Sequence, residues 1–258
     1  MINGLGSFTL IKNERRFIAA HLKSWLPILS QMVFFDGNSS DGTLEIIREH
    51  QKGEHGHKIK LFENKDPKDL QADYERLSNE CMAALDTEVS IFLHPDMFPD
   101  GPQSINLPGG AIAATIRLRS FAGDPGAQLY EIAGRGEKWK NIYRLRNPNL
   151  GAHYHGHYGA QNEDIYFSEI TGTEYKHYGQ DFNSYPYLIV ESGIKVLHYS
   201  DVRPRYRRIE RMIRCLENQG FATATAVSMA CSHPRVSFKD GQGLIFNPID
   251  NLIELEVI

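Results

Sequence analysis

A chain of 258 residues can bury one substantial core, and 41% hydrophobic with 23% charged residues is ordinary for a globular protein. Lys+Arg 28 against Asp+Glu 32 leaves a formal charge of -4, which gives no electrostatic reason to expect nucleic acid as a partner. Cys81, Cys215 and Cys231 are odd in number and in no paired spacing, arguing against a disulfide framework or zinc knuckle and for a reducing cytoplasm. The amino terminus lacks a basic flank and a long apolar core, and no stretch approaches transmembrane length free of charges. The expected location is cytoplasmic, with at most a peripheral membrane contact.

In chain order, Ser7 to Ile11 reads as a first strand. Glu14 to Ser24 reads as a first helix, with Phe17, Ile18, His21 and Leu22 spaced to share a face. Val33, Phe34 and Phe35 form an unbroken apolar run, the pattern of a strand buried on both faces of a parallel sheet. Gly37 and Asn38 then tolerate unusual backbone angles, Asp41 can cap a following helix, and Leu44, Ile46 and Ile47 supply its buried stripe. Lys58 to Phe62 is a third strand. Leu70 to Leu85 is a third helix carrying Leu70, Tyr74, Leu77, Cys81 and Leu85 on one side, and Val89 to Leu93 is a fourth strand. Such alternation predicts an α/β fold with a mostly parallel central sheet and right-handed crossovers.

Past Asp100 a Gly- and Pro-rich linker, Gly101 to Gly110, precedes a strand over Ala111 to Phe121. Gly123 to Lys138 reads as a loop, Trp139 to Arg146 as a strand and Tyr187 to Tyr199 as two short strands. Pro204 to Met229 reads as a helical extension broken near Gly220, and Leu244 to Ile258 offers short strand-like runs. No internal repeat or low-complexity tract is present.

Three strand ends carry polar groups. Leu10-Ile11-Lys12-Asn13-Glu14 ends the first, Asp36 the second and Phe92-Leu93-His94-Pro95-Asp96 the fourth. Ligands of open α/β sheets bind at that carboxyl edge. There Asp36 could accept hydrogen bonds from a nucleobase imide or a ribose hydroxyl, with turn amides facing anionic groups. Taken alone, each acid is equally a helix cap, and Asp96, ending a buried strand, must be paired, metal-bound or solvated.

In this order the pieces resemble the family 2 glycosyltransferases of the GT-A fold: a strand ending in Asn-Glu, then Asp-Gly-x-Ser-x-Asp-Gly-Thr, then an Asp-x-Asp site. The resemblance covers roughly the first hundred residues well and the rest loosely. It implies a GT-A (Rossmann-like) fold and a single catalytic domain over 1–258. Residues 1–100 would bind the nucleotide sugar, 101–200 the acceptor, and 201–258 would form the C-terminal helical extension. It also implies inverting transfer from a nucleoside diphosphate sugar to a glycan, lipid-linked or other hydroxyl acceptor, with Mn²⁺ or Mg²⁺. Homo-oligomers are compatible with it.

By the same resemblance Lys12, Asn13, Glu14, Asp36 and Asn38 hold the nucleoside, while Asp96 and His198 bind the metal. The first acid of Asp-x-Asp is here His94, either a ligand or a hydrogen-bonding partner of the donor. His198 on its own would read as a core histidine. The resemblance makes Asp164, or else Glu163, the general base, with His157 third; without it the pair is the acidic first turn of a helix. The family often has Arg-Asn in its third helix, where this chain has Ser78-Asn79.

Two further patterns stand out. His153, His155 and His157 alternate, so an extended segment would project them from one face, as zinc ligands or as sugar-binding and loop residues. Arg203, Arg205, Arg207, Arg208, Arg211 and Arg214 lie on a basic amphipathic stretch. It could clamp a diphosphate through Arg203 or Arg205, dock on anionic lipid or simply face solvent. A nucleotidyltransferase is disfavoured because Gly4-Leu5-Gly6 precedes the first strand. An inert donor-binding module, or a zinc hydrolase centred on the three histidines, would also account for parts of the pattern.

Overall fold

The computed structural model describes residues 4–63, 74–105, 113–123, 129–133, 138–144, 146–147, 150–155, 164–171, 174–178, 189–218, 220–233 and 245–249. The first half alternates as β1 (Leu5–Ile11), α1 (Arg15–Trp25), β2 (Gln31–Asp36), α2 (Thr43–Gln51), β3 (Ile59–Glu63), α3 (Tyr74–Ala83) and β4 (Val89–Phe92). The second half runs through β5 (Met97–Pro99), β6 (Ala113–Gly123), β7 (Leu129–Ala133), β8 (Lys138–Arg144), β9 (Arg146–Asn147), β10 (Leu150–His155), β11 (Asp164–Thr171), β12 (Glu174–Tyr178) and β13 (Ile189–Val202). It closes with α4 (Arg205–Asn218), α5 (Thr223–Ser232) and β14 (Ile245–Ile249).

The main sheet has the order β14-β7-β6-β8-β4-β1-β2-β3, with β13 seated between β5 and β6. Strands β4, β1, β2 and β3 are mutually parallel, so their carboxyl ends share one edge. Antiparallel pairings of β8 with β4 and β6 extend the sheet. A separate four-stranded sheet is ordered β12-β11-β10-β9. No helix of the described residues is long and apolar enough to cross a membrane.

Burial follows the periodicity. All of β1 and β2 is buried, as continuous apolar strands covered on both faces should be. Helix α1 buries Phe17, Ile18, His21, Leu22 and Trp25, a single stripe. Trp25, Leu22, Phe34, Met32, Ile47, Ile91 and Val196 belong to one core cluster. Removing the Trp25 side chain would cost about 3–5 kcal/mol on the scale of other buried large-to-small changes. Lys58 is also buried, its ammonium donating to Leu26 O at 2.7 Å and Leu29 O at 3.0 Å beyond the end of α1.

Three local expectations change. Leu129–Ala133, within the expected loop, is a strand because it pairs antiparallel with Ser120–Gly123 as well as with β14. The expected pair of strands before Tyr199 is one, β13, because the chain bends through register shifts instead of ending. Gly193 takes φ +82° there, a conformation glycine adopts without strain. Asp164 begins a strand, not a helix: β11 pairs with both β10 and β12.

Candidate active site

The two loops that follow β1 and β2 are sewn together by polar side chains. Asp41 Oδ2 accepts from Arg15 N at 3.0 Å and its Oδ1 from Thr43 N at 3.0 Å, so one carboxylate serves the starts of α1 and α2. Thr43 Oγ1 donates to Asp41 at 2.5 Å and accepts from Glu14 N at 2.9 Å. Ser40 N donates to Asn13 Oδ1 at 2.8 Å, and Asn13 N to Ser39 Oγ at 2.9 Å. Asn13 and Asn38 take φ of +58° and +66°, a region asparagine tolerates, and Gly42 takes +98°.

Asp36 ends buried β2 and pairs in register with Ile11. Its Oδ2 accepts from Ser39 N at 2.9 Å and its Oδ1 from Ser39 Oγ at 2.5 Å. Both oxygens thus shape the turn, and each keeps a further lone pair. Lys12, Asn13 and Asn38 are exposed on the same edge.

The second cluster is built by β5 and β13. Their antiparallel register sets His198 opposite Met97, and Tyr199 N donates to Asp96 O at 2.9 Å. His198 Nε2 consequently lies 3.5 Å from Asp96 Oδ1. Arg203, just past β13, reaches Asp96 Oδ2 at 3.2 Å and Glu14 Oε2 at 3.7 Å. Asp96 Oδ1 is buried and accepts no hydrogen bond from the described residues. The His94 and His198 rings stack with centroids 6.3 Å apart, and Phe92 meets His94 edge-on at 4.7 Å.

The charges respond to this packing. Burial pushes Asp96 up, but His198, Arg203 and His94 outweigh it and hold the carboxyl well below its usual range. Burial dominates for Glu14, raised to about 7 against the opposing pull of Arg203. Although His94 keeps some solvent contact, it is densely surrounded, and burial lowers its imidazole to about 4, leaving it neutral at pH 7.

The structure therefore brings Glu14, Asp96 and His198 together, with His94 alongside and Asp36 at the same sheet edge. Glu163 and His157 lie outside the described residues. Asp164 and His155 are register partners at the ends of β11 and β10, and His153 pairs with Tyr166. Ser78 is buried in α3, and Asn79 donates to Glu75 O at 2.9 Å. The Cys81 thiol, also buried, is pushed up to about 12 and so stays protonated.

Sequence reasoning missed Arg208 and Arg16. Buried Arg208 donates to Gly123 O at 2.9 Å and to Arg203 O, and Arg16 donates to Val202 O at 2.9 Å. Both grip the backbone that carries Arg203. Within a run of six arginines, nothing local marks which one turns inward.

No family model and no curated protein matches this chain. Among solved structures it is similar to S. aureus TarS 1-349 in complex with UDP, at 14% identity and TM-score 0.43, covering 94% of this chain and 76% of that one. It is also similar to the mannosyltransferase PcManGT from Pyrobaculum calidifontis in complex with GDP-Man and Mn²⁺, at 13% identity and TM-score 0.36, covering 45% and 36%. For GalNAc-T7 with UDP, GalNAc and Mn²⁺ the figures are 10% identity, TM-score 0.40, and 90% and 56% coverage. In a further match, to S. aureus TarS 1-349, the chain spans 47% of that chain's length.

Proposed function

We propose that the chain is a glycosyltransferase, moving a sugar from a nucleoside diphosphate sugar to a hydroxyl acceptor with inversion. One observation carries this reading: Glu14, Asp96, His198 and Arg203, from separate segments, meet beside the carboxyl ends of parallel β1 and β4. A cleft that joins acids, an imidazole and a guanidinium suits a nucleotide whose diphosphate leaves as an anion. Lys12, Asn13, Asp36 and Asn38 would hold the nucleoside. The acceptor proton falls to Asp164 or Glu163. On this reading 1–100 bind the donor, 101–200 the acceptor, and 201–258 extend the same domain.

A divalent cation fits the donor set. Asp96 offers a buried oxygen that accepts no hydrogen bond, and carboxylate with imidazole suits Mn²⁺. Among the described residues no three or more His, Cys, Asp or Glu side chains form a metal-binding group, so phosphate oxygens and water would complete the shell. When bound, the ion would neutralise the departing diphosphate. Tyr206 on α4, Phe221 in the turn after it, and Val227 and Met229 on α5 are exposed, as are Arg205, Arg207 and Arg214 on α4, which supports an acceptor held at an anionic lipid surface.

The test is to incubate the purified chain with UDP- and GDP-linked sugars and Mn²⁺ and to measure nucleotide release. Slow hydrolysis is expected in the wild type and at least about a hundredfold less in Asp96→Asn. A second reading, an inert donor-binding module, is favoured by Arg203 already pairing with Asp96 at the metal position. Binding without release would support it; no binding of any nucleotide would sink both.

A further inference from the structure

We propose that Arg203 is the site's resident counter-cation: it pairs with Asp96, beside Glu14, while no donor is bound, then yields Asp96 to the donor's divalent cation and turns to the diphosphate. This rests on the glycosyltransferase reading and adds to it a mechanism for coupled binding.

The backbone of Arg203 is pinned while its head group is placed to turn. Arg203 N donates to Gly123 O at 3.1 Å, Arg208 donates to Arg203 O and to Gly123 O, and Arg16 fixes the preceding carbonyl of Val202. The guanidinium passes over the Phe17 ring at 5.5 Å, and its Nη2 lies 3.2 Å from Asp96 and 3.7 Å from Glu14. The Arg203 side chain is 24% exposed against 5% for Asp96, so the guanidinium is the side of the pair that faces incoming ligand.

Asp96 has two distinct sides. Its Oδ2 faces Arg203, whereas Oδ1 faces His198 at 3.5 Å and accepts no hydrogen bond. A divalent ion held by Asp96 and His198 would stand within a few ångströms of the guanidinium, and like charges that close repel strongly where water is scarce. An anion between them removes the conflict, and a diphosphate is such an anion, with oxygens for both the metal and a guanidinium fork. Cation and nucleotide must therefore assist one another's binding, by the same factor in each direction.

The experiment measures Mn²⁺ affinity of the full chain by titration calorimetry, with and without UDP or GDP, in the wild type, Arg203→Met and Arg203→Lys. In the wild type, nucleotide should tighten Mn²⁺ binding by about tenfold or more. In Arg203→Met, Mn²⁺ alone should bind about tenfold tighter than to the wild type, with the enhancement by nucleotide falling to about threefold or less. Arg203→Lys, which retains the charge and the fold, should preserve most of the coupling. Unchanged Mn²⁺ affinity and undiminished coupling in Arg203→Met overturn the proposal while leaving the glycosyltransferase reading intact. A wild type that binds neither Mn²⁺ nor nucleotide overturns both.

Discussion

His198 stands 3.5 Å from Asp96 because β13 runs antiparallel to β5, a pairing that joins the start of the second half of the chain to its late strand. Replacing His198 by Ala leaves the second oxygen of a buried carboxylate without its imidazole neighbour. We expect a loss of about 1–3 kcal/mol in urea unfolding at pH 7, and loss of the Mn²⁺-dependent thermal shift with nucleotide. Full stability together with an intact shift would separate the two residues functionally.

Asp41 is the shared cap of α1 and α2, accepting from Arg15 N and Thr43 N. Because each lost cap typically costs about 0.5–2 kcal/mol, Asp41→Ala should destabilise by about 1–3 kcal/mol, and Asp41→Asn by clearly less. Chemical denaturation of the two variants checks this; equal losses would mean that charge, not capping geometry, is what counts.

Lys58 closes the carbonyls of Leu26 and Leu29 from a buried position. Lys58→Met fills similar space but leaves both acceptors unsatisfied, so a loss of about 2 kcal/mol or more in unfolding free energy is expected. A change under about 0.5 kcal/mol would show that water replaces the ammonium at no cost.

Glu14 makes stability depend on pH in a definite direction. Its carboxyl rises from the ordinary 4.5 to about 7, chiefly through burial, so between those values the native state keeps a proton that the unfolded chain has released. The contribution of this group is full below pH 4.5 and is lost as pH climbs to 7. The shift alone corresponds to about 3 kcal/mol, and the 19% exposure of the side chain reduces this to about 1–2 kcal/mol. Unfolding free energy measured at pH 5 and pH 8 should fall more in the wild type than in Glu14→Gln; parallel profiles would refute the assignment.

His21 acts in the opposite direction. Fully buried, with Nδ1 donating to Met97 O at 3.0 Å, it is lowered from 6.5 to about 4, mainly by burial. The unfolded chain takes up the proton first, so this contribution is full above pH 6.5 and is lost as pH falls to 4, an effect on the order of 3 kcal/mol. In His21→Phe, Met97 O keeps Trp25 Nε1 at 2.8 Å, and the acid slope of stability should flatten over that window.

What could be read from the sequence alone was local. The unbroken apolar run at Val33 to Phe35, the largely apolar Val89 to Leu93, the spacing of Phe17, Ile18, His21 and Leu22, and the turn from Asp36 to Thr43 determined parallel strands, packed helices and a polar sheet edge. Each of these depends on periods of a few residues. Tertiary structure decided the rest. Whether Leu129–Ala133 is loop or strand, and whether Asp164 starts a helix or a strand, depends on partners that supply the backbone hydrogen bonds. That Arg203 and Arg208 turn inward depends on Glu14, Asp96 and Gly123, which only the folded sheet brings near. Side-chain periodicity states which face is buried, whereas the identity of the neighbour across that face is set by strand register, and register is a property of two distant segments at once.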